Sequence, residues 1–220
     1  MLQKLLVGLA AAILILVGFI ASRPAEFTIQ RTATLPGPVD VAFAQVNDFH
    51  QWNAWSPWAA LDPAMKTTYS GPEVGVGAGY AWTGNEQVGE GRMTIEESRA
   101  PEHVRIKLEF IKPWAATNLT DFHFKPVDGG TEVTWAMSGT NDFMGKAFGL
   151  LMDMDAMVGK DFEKGLASLK GVVEAEVKKR AEAEAARVAA AKAAEEKAAE
   201  EKAAEEKAAA AAPAVAQPTP

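Results

Sequence analysis

Cysteine is absent from the 220-residue chain. This excludes disulfides, thiolate metal ligation and a cysteine nucleophile, and leaves the redox compartment open. Histidine is scarce: His50, His103 and His123 are the three in the chain. None stands beside a second metal ligand at helical spacing, so no metal site is expected. A basic block is missing as well. The chain has 22 Lys and Arg against 29 Asp and Glu, a net charge of -7. In the middle of the chain its cations are too scattered to follow a phosphate backbone, and nucleic acid is not an expected partner. No catalytic motif stands out, and no cofactor is expected.

What is present divides into three parts. Leu5 to Ala21 is an unbroken run of apolar or small residues, preceded by Lys4 and followed by Arg23 and Pro24. At about seventeen residues it is short for a spanning helix and long for a signal-peptide core, so the cleavage region arbitrates. Phe19 lies two positions before Ala21 and Ile20 two before Ser22, a poor small-x-small pattern. Residues 1–24 are therefore expected to stay as a membrane anchor that crosses the bilayer through residues 5–21. Lys4 favours an inside N-terminus while Arg23 and Arg31 argue the other way; the expectation is a domain outside the cytoplasm. Residues 25–177 carry all six tryptophans, enough for one domain with a sizeable core. Residues 178–220 are a low-complexity tail with three copies of Ala-Ala-Glu-Glu-Lys from Ala193 to Lys207. Its composition favours a long helix of the kind that enters coiled coils. Five-residue spacing, however, winds the charges around without leaving a dry face, so the tail cannot join the core.

Within the domain, Phe27, Ile29 and Arg31 alternate against Thr28, Gln30 and Thr32, which predicts a first strand. Leu35-Pro36-Gly37-Pro38 breaks it, and a helix is expected from about Pro38 to Asn47. Asp48 is placed to cap a second short helix that carries Phe49, Trp52 and Trp55 and ends at Ser56-Pro57. Six strand-like segments follow, at Lys66–Ser70, Gly77–Thr83, Val88–Ser98, His103–Ile111, Ala115–Lys125 and Thr131–Gly139, with turn signals between them. Val104, Ile106, Leu108 and Phe110 share a dry face, Val133, Trp135 and Met137 another, and Asn118, Thr120, Phe122 and Phe124 a mixed one. From Asp142 the period becomes helical, with Ala147, Leu151, Met154, Val158, Phe162, Gly165, Leu169 and Val172 in one stripe. This predicts a single helix of roughly eight turns laid on the sheet.

This β-α-α-β-β-β-β-β-β-α order resembles the helix-grip superfamily of plant allergen-like, lipid-transfer START and polyketide cyclase/dehydrase proteins. Four runs match the bacterial polyketide-cyclase-like branch: Trp52-Asn53-Ala54-Trp55-Ser56-Pro57-Trp58, Gly89-Glu90-Gly91-Arg92-Met93, Gly130-Thr131-Glu132-Val133 and Phe162-Glu163-Lys164-Gly165-Leu166. The resemblance covers roughly Phe27 to Glu174. It implies an α+β helix-grip fold, a curved antiparallel sheet of about seven strands wrapped around a long C-terminal helix, with two short helices after strand 1. It also implies a pocket between sheet and helix that is open at one end, in a family whose members mostly bind hydrophobic small molecules and only sometimes transform them.

Around such a cavity the expected side chains are Tyr80, Trp82, Phe110, Trp114, Phe122, Trp135 and Met137, together with Met144, Phe148, Leu151 and Met152. The alternative is that they fill the interior completely. Trp52, Trp55 and Trp58 either form a lid, with Trp58 nearest a ligand, or pack the short helices onto the sheet; the area they bury favours packing. Gly145, Gly149, Gly159 and Gly165 are costly in a helix and point to close packing or a bend. His103 and His123 fall on wet strand faces and are expected at the surface. Glu96 and Glu97 face opposite sides of a strand and cannot share a proton. Asp155 stands beside the helical stripe, either exposed or facing the pocket with a raised pKa. Glu90 and Arg92 share a strand face, where they either orient a ligand or form a surface ion pair.

Three functions are open on these residues. The first is binding of a hydrophobic small molecule or lipid near a membrane. The second is a cyclase or dehydratase acting on an apolar substrate, which requires a positioned acid or base. The third is an interaction module whose tail reaches a protein partner. Trp135 is expected opposite the long helix near Leu151 or Met154. Its loss would be severe in a filled interior, and in a cavity wall would be cheap while altering ligand preference.

Overall fold

Period-two alternation in the middle of the chain makes every strand two-sided, and the dry sides need a cover. In the computed structural model, which describes residues 1–210, the strands are β1 (Glu26–Leu35), β2 (Lys66–Ser70), β3 (Gly79–Thr83), β4 (Glu90–Arg99), β5 (His103–Lys112), β6 (Ala116–Val127) and β7 (Gly130–Thr140). They form one antiparallel sheet in the order β1-β7-β6-β5-β4-β3-β2. Strands β2 to β7 are therefore a meander, and β1 pairs with β7 at the far edge. The connection from β1 to β2 passes from one sheet edge to the other and holds helix α2 (Val39–Asn47) and a 3-10 helix (Phe49–Ala54). Asp48 caps the latter by accepting the His50 N–H at 2.8 Å.

The helical stripe that begins at Asp142 is not one helix. Helix α3 (Phe143–Phe148) is followed by a break, and α4 starts at Met154 and runs to Ala210. Asp142 accepts the Gly145 N–H at 2.7 Å and Asp153 accepts the Ala156 N–H at 3.0 Å. Each is a side-chain cap at a helix start, and two caps eleven residues apart specify two helices. The buried face of α4 accordingly begins at Gly159 and continues through Phe162, Gly165, Leu166, Leu169 and Val173, whereas Leu151 and Met154 are exposed. Sheet and helix together make the helix-grip arrangement implied by the element order.

The register defines two ends of the sheet. Glu26 opposite Thr140, together with the β5–β6 turn, marks one; Leu35 opposite Thr131, with α2 against β6, marks the other. At the first end, which we call the anchor end, stands helix α1 (Leu2–Ser22), the one helix among the described residues long and apolar enough to cross a membrane. Twenty-one residues rise about 31 Å, close to the hydrocarbon thickness of a bilayer. The chain divides into two compact units, residues 1–176 and 177–220. In the second unit every residue from Lys178 to Ala204 is exposed. Among the described residues no apolar stripe runs along it, and a coiled coil is not supported. Residues 211–220 of the tail lie outside the described residues.

Candidate functional site

At the α2 end the grip is closed. The Trp135 ring on β7 stacks on Phe162 of α4 at 4.1 Å and 8°. Phe122 stacks on its other neighbour side at 4.9 Å, and Trp55 and Trp58 meet it edge-on at 5.7 and 5.8 Å. Trp52 and Trp55 donate their indole N–H groups to the Val46 and Gln45 carbonyls at 3.0 and 3.2 Å. Those carbonyls belong to the last turn of α2, where no helical N–H is left to donate to them, so these tryptophans pin the short helices to the sheet. Phe122, Trp135 and the half-buried Trp58 thus belong to this packed cluster. Gly165 is what lets α4 approach: a Cβ there would lie 2.7 Å from Trp135 Cζ3.

Toward the anchor end the cover thins. On the same inner face Val104 and Ile106 are fully buried, while Leu108 and Phe110, further along β5, are half-exposed, as is Phe27 on β1. Tyr80, Trp82, Met93 and Met137 form the intervening buried floor. Two polar side chains, Asn118 and Thr120, lie buried among them. The Asn118 amide donates to the Met137 thioether at 3.7 Å, a weak acceptor for a buried carboxamide. Beyond this opening stand Trp114 (72% exposed), Met144, Phe148, Leu151 (86% exposed) and Met152. Trp114 and Phe148 are in ring contact at 5.9 Å, which joins the β5–β6 turn to α3. These five side chains are exposed and are not enclosed in a cavity.

The charged candidates sort by face. Asp155 is exposed but forms an ion pair with Arg31 at 3.1 Å, and Glu163 binds the same guanidinium at 2.8 Å. Arg31 was legible as sharing a face with Phe27 and Ile29, but its part as the tie between β1 and α4 was missed. Hydrogen bonds from Arg31 hold the Asp155 carboxyl below the usual carboxylate range, so it is not poised as an acid. Glu90 and Arg92 lie on the outer face and do not pair with each other. The closer cross-strand partners win: Arg92 forks onto Glu109 at 2.8 and 2.9 Å, and Glu90 meets Lys112 at 2.7 Å. The inward residue between them, Gly91, leaves room for the Trp82 ring.

The Arg92 fork, aided by Lys107, holds the Glu109 carboxyl down at about 2 from an ordinary 4.5. Because the folded value is depressed, this pair favours the fold above the ordinary value, and the contribution is lost as pH falls through about 2. Arg92→Gln is expected to move the Glu109 midpoint back up toward 4.5, read by carboxyl NMR titration.

His103 is on the outer face as expected yet is only 2% exposed. Register places His123 directly opposite it, the rings stack at 4.6 Å, and Arg99 covers the other side. Its two ring nitrogens meet Asp121 at 2.7 Å and Arg99 at 3.0 Å. His103, Asp121 and His123 could by spacing hold a metal ion. Asp121, however, already serves Arg105 at 2.8 Å, and two guanidinium charges beside the group oppose a cation. Burial and the neighbouring His103 push the His123 pKa down. Two surface clefts have linings that do not include Leu108, Phe110 or Asn118. One, of about 270 Å³, is lined by His50, Tyr69 and Ser70; the other, of about 410 Å³, by Pro57, Lys164 and Ser168.

The family model described as polyketide cyclase/dehydrase and lipid transport matches residues 26–174. Solved structures share the fold. A protein of Chromobacterium violaceum is 14% identical, with 67% of this chain and 96% of its own covered and a TM-score of 0.50. A Rhizobium leguminosarum protein is 13% identical over 69% of this chain and 97% of its own, with a TM-score of 0.51. The di-domain ARO/CYC StfQ of the steffimycin biosynthetic pathway is 12% identical over 70% of this chain and 52% of its own, with a TM-score of 0.53. At these identities the likeness is one of fold. No curated protein sequence matches the chain.

Proposed function

Because the chain belongs to the polyketide cyclase/dehydrase and lipid transport family, we propose that it binds an apolar, lipid-like molecule while anchored to a membrane by α1. The ligand would lie between the anchor-end half of the inner sheet face and the start of α4. One observation carries this reading: the inner face passes from fully buried at Val104 and Ile106 to half-exposed at Leu108 and Phe110. Asn118, whose carboxamide has only a thioether for a side-chain partner among the described residues, supplies a polar point to orient a headgroup or carbonyl. The length and apolarity of α1 fit a helix that crosses a bilayer; its retention as an anchor, with the domain outside the cytoplasm, is part of this proposal.

The titratable side chains on the inner sheet face favour binding over acid–base chemistry. Among the described residues they are Arg31, Tyr69 and Tyr80. Arg31 is committed to Asp155 and Glu163, and burial raises the Tyr80 phenol to about 12, so it stays protonated near neutrality.

The test is retention. Full-length protein is unfolded, stripped, refolded and offered a membrane extract, and the bound fraction is analysed by mass spectrometry. The expected result is a retained apolar compound that Phe110→Asp reduces at least about tenfold, since an ionised carboxylate at the mouth is costly to bury under a ligand. Retention of nothing apolar, or equal retention by the variant, would sink the proposal.

A further inference from the structure

Large apolar side chains are concentrated at one place on the domain surface. Eight of the fifteen residues from 143 to 157 are large, apolar and exposed, and Trp114 of the β5–β6 turn and Ile111 near the end of β5 lie at the same end of the sheet. Water-soluble surfaces rarely carry so much contiguous apolar area without a partner.

The position of α1 identifies the partner. Ile20, in its last turn, is buried against the domain. Lys146 of α3 donates to the Ala21 carbonyl at 3.2 Å, and the Asn141 N–H donates to the Ala25 carbonyl at 2.8 Å. Helix α3 is therefore fastened to the point where α1 ends, which is the level of the headgroups if α1 spans the bilayer. Resting on that anchor reading, we propose that Phe148, Leu150, Leu151, Met152 and Met157, with Trp114, form a second membrane contact. This contact dips into the leaflet that α1 leaves at Ser22 and seats the open end of the grip on the lipid.

Charge fixes the character of the contact. Residues 142–157 carry Lys146 against Asp142, Asp153 and Asp155, one positive and three negative charges. Asp142 and Asp153 are turned into helix caps and Asp155 toward Arg31. The surface has no excess of cations for anionic headgroups, so insertion rests on apolar area and should depend little on salt. The tryptophan is of the type that favours the boundary between chain and headgroup.

The lack of native cysteine makes the test direct. Single-cysteine versions of the full chain, Leu14→Cys, Leu151→Cys, Met144→Cys and Asp128→Cys, are labelled with an environment-sensitive dye and reconstituted in phosphatidylcholine vesicles with or without nitroxide-labelled chains. Leu14 reports the anchor and Asp128 the far end of the sheet. Positions 144 and 151 are 64% and 86% exposed, so labelling should leave the fold intact. For a surface buried about 5–10 Å, quenching at 144 and 151 is expected to exceed that at 128 by at least about threefold. Quenching at 14 with none at 144 or 151 would overturn the second contact and leave the anchor standing. No quenching at 14 would remove the anchor reading and this proposal together. A blue-shifted but unquenched dye at 151 would mean that another copy of the chain covers the surface, which also overturns it. Ligand retention is read separately and can fail while quenching stands.

Discussion

Trp135→Ala should lower the free energy of unfolding by about 3–5 kcal/mol, the range for deleting a large aromatic from a packed core. Its side chain is 1% exposed, lies flat on Phe162 at 4.1 Å and is boxed in by Trp52, Trp55, Trp58 and Phe122. Rings that interlock in this way cannot collapse into the space left behind. The indole N–H has no hydrogen-bond partner among the described residues, so the truncation forfeits packing and no polar contact. Trp135→Phe should consequently cost far less, because it keeps the stack and removes an unsatisfied donor that costs about 1–3 kcal/mol. Denaturant unfolding of the two variants checks this. The lipid profile of the variants should be unchanged, since Trp135 sits in the closed half of the grip. A cheap Trp135→Ala with an altered profile would place the ligand among these rings instead.

Two glycines of α4 should respond in opposite directions to the same substitution. Alanine is favoured over glycine in a helix interior by about 1 kcal/mol. At Gly171 a new methyl would meet nothing within 4 Å, so Gly171→Ala should stabilise by about that amount. At Gly165 it would come within 2.7 Å of Trp135 Cζ3 and 3.1 Å of Pro57 Cδ. Both are parts of rigid rings, and α4 must lift to admit it. Overpacking of this kind costs about 1–3 kcal/mol, which outweighs the propensity gain, so Gly165→Ala should destabilise. The shift in denaturant midpoint of each variant, and above all its sign, is the measurement.

Strand positions were legible because alternation is a local property: Val104, Ile106, Leu108 and Phe110 had to share a side whatever lay above them. The break between α3 and α4 was hidden for the opposite reason. Leu151 and Met154 fit the three-and-four spacing of the stripe, and it is the bond from the Ala156 N–H to Asp153 that makes Asp153 a cap. Displacing the helix start moved Trp135 from Leu151 to Phe162 and left Met144, Phe148, Leu151 and Met152 exposed. Periodicity says which side chains share a face and is silent on what covers it. Likewise parity put His103 on the outer face correctly, but its burial depends on the register that brings His123 opposite it. The Arg31 to Asp155 bond joins residues 124 positions apart, a pairing that only the packed helix and sheet reveal.

The most direct measurement is a crosslinking map. An apolar lipid with a photoactivatable chain is bound to the full-length protein in vesicles and irradiated, and the adducts are located by peptide mass spectrometry. If the anchor-end half of the grip is the binding site, adducts will fall on the inner face around Leu108, Phe110, Asn118 and Met137, in addition to those on α1. They should disappear from these positions in Phe110→Asp while those on α1 remain. Adducts confined to α1, or gathered at the cleft lined by His50 and Tyr69, would contradict that claim.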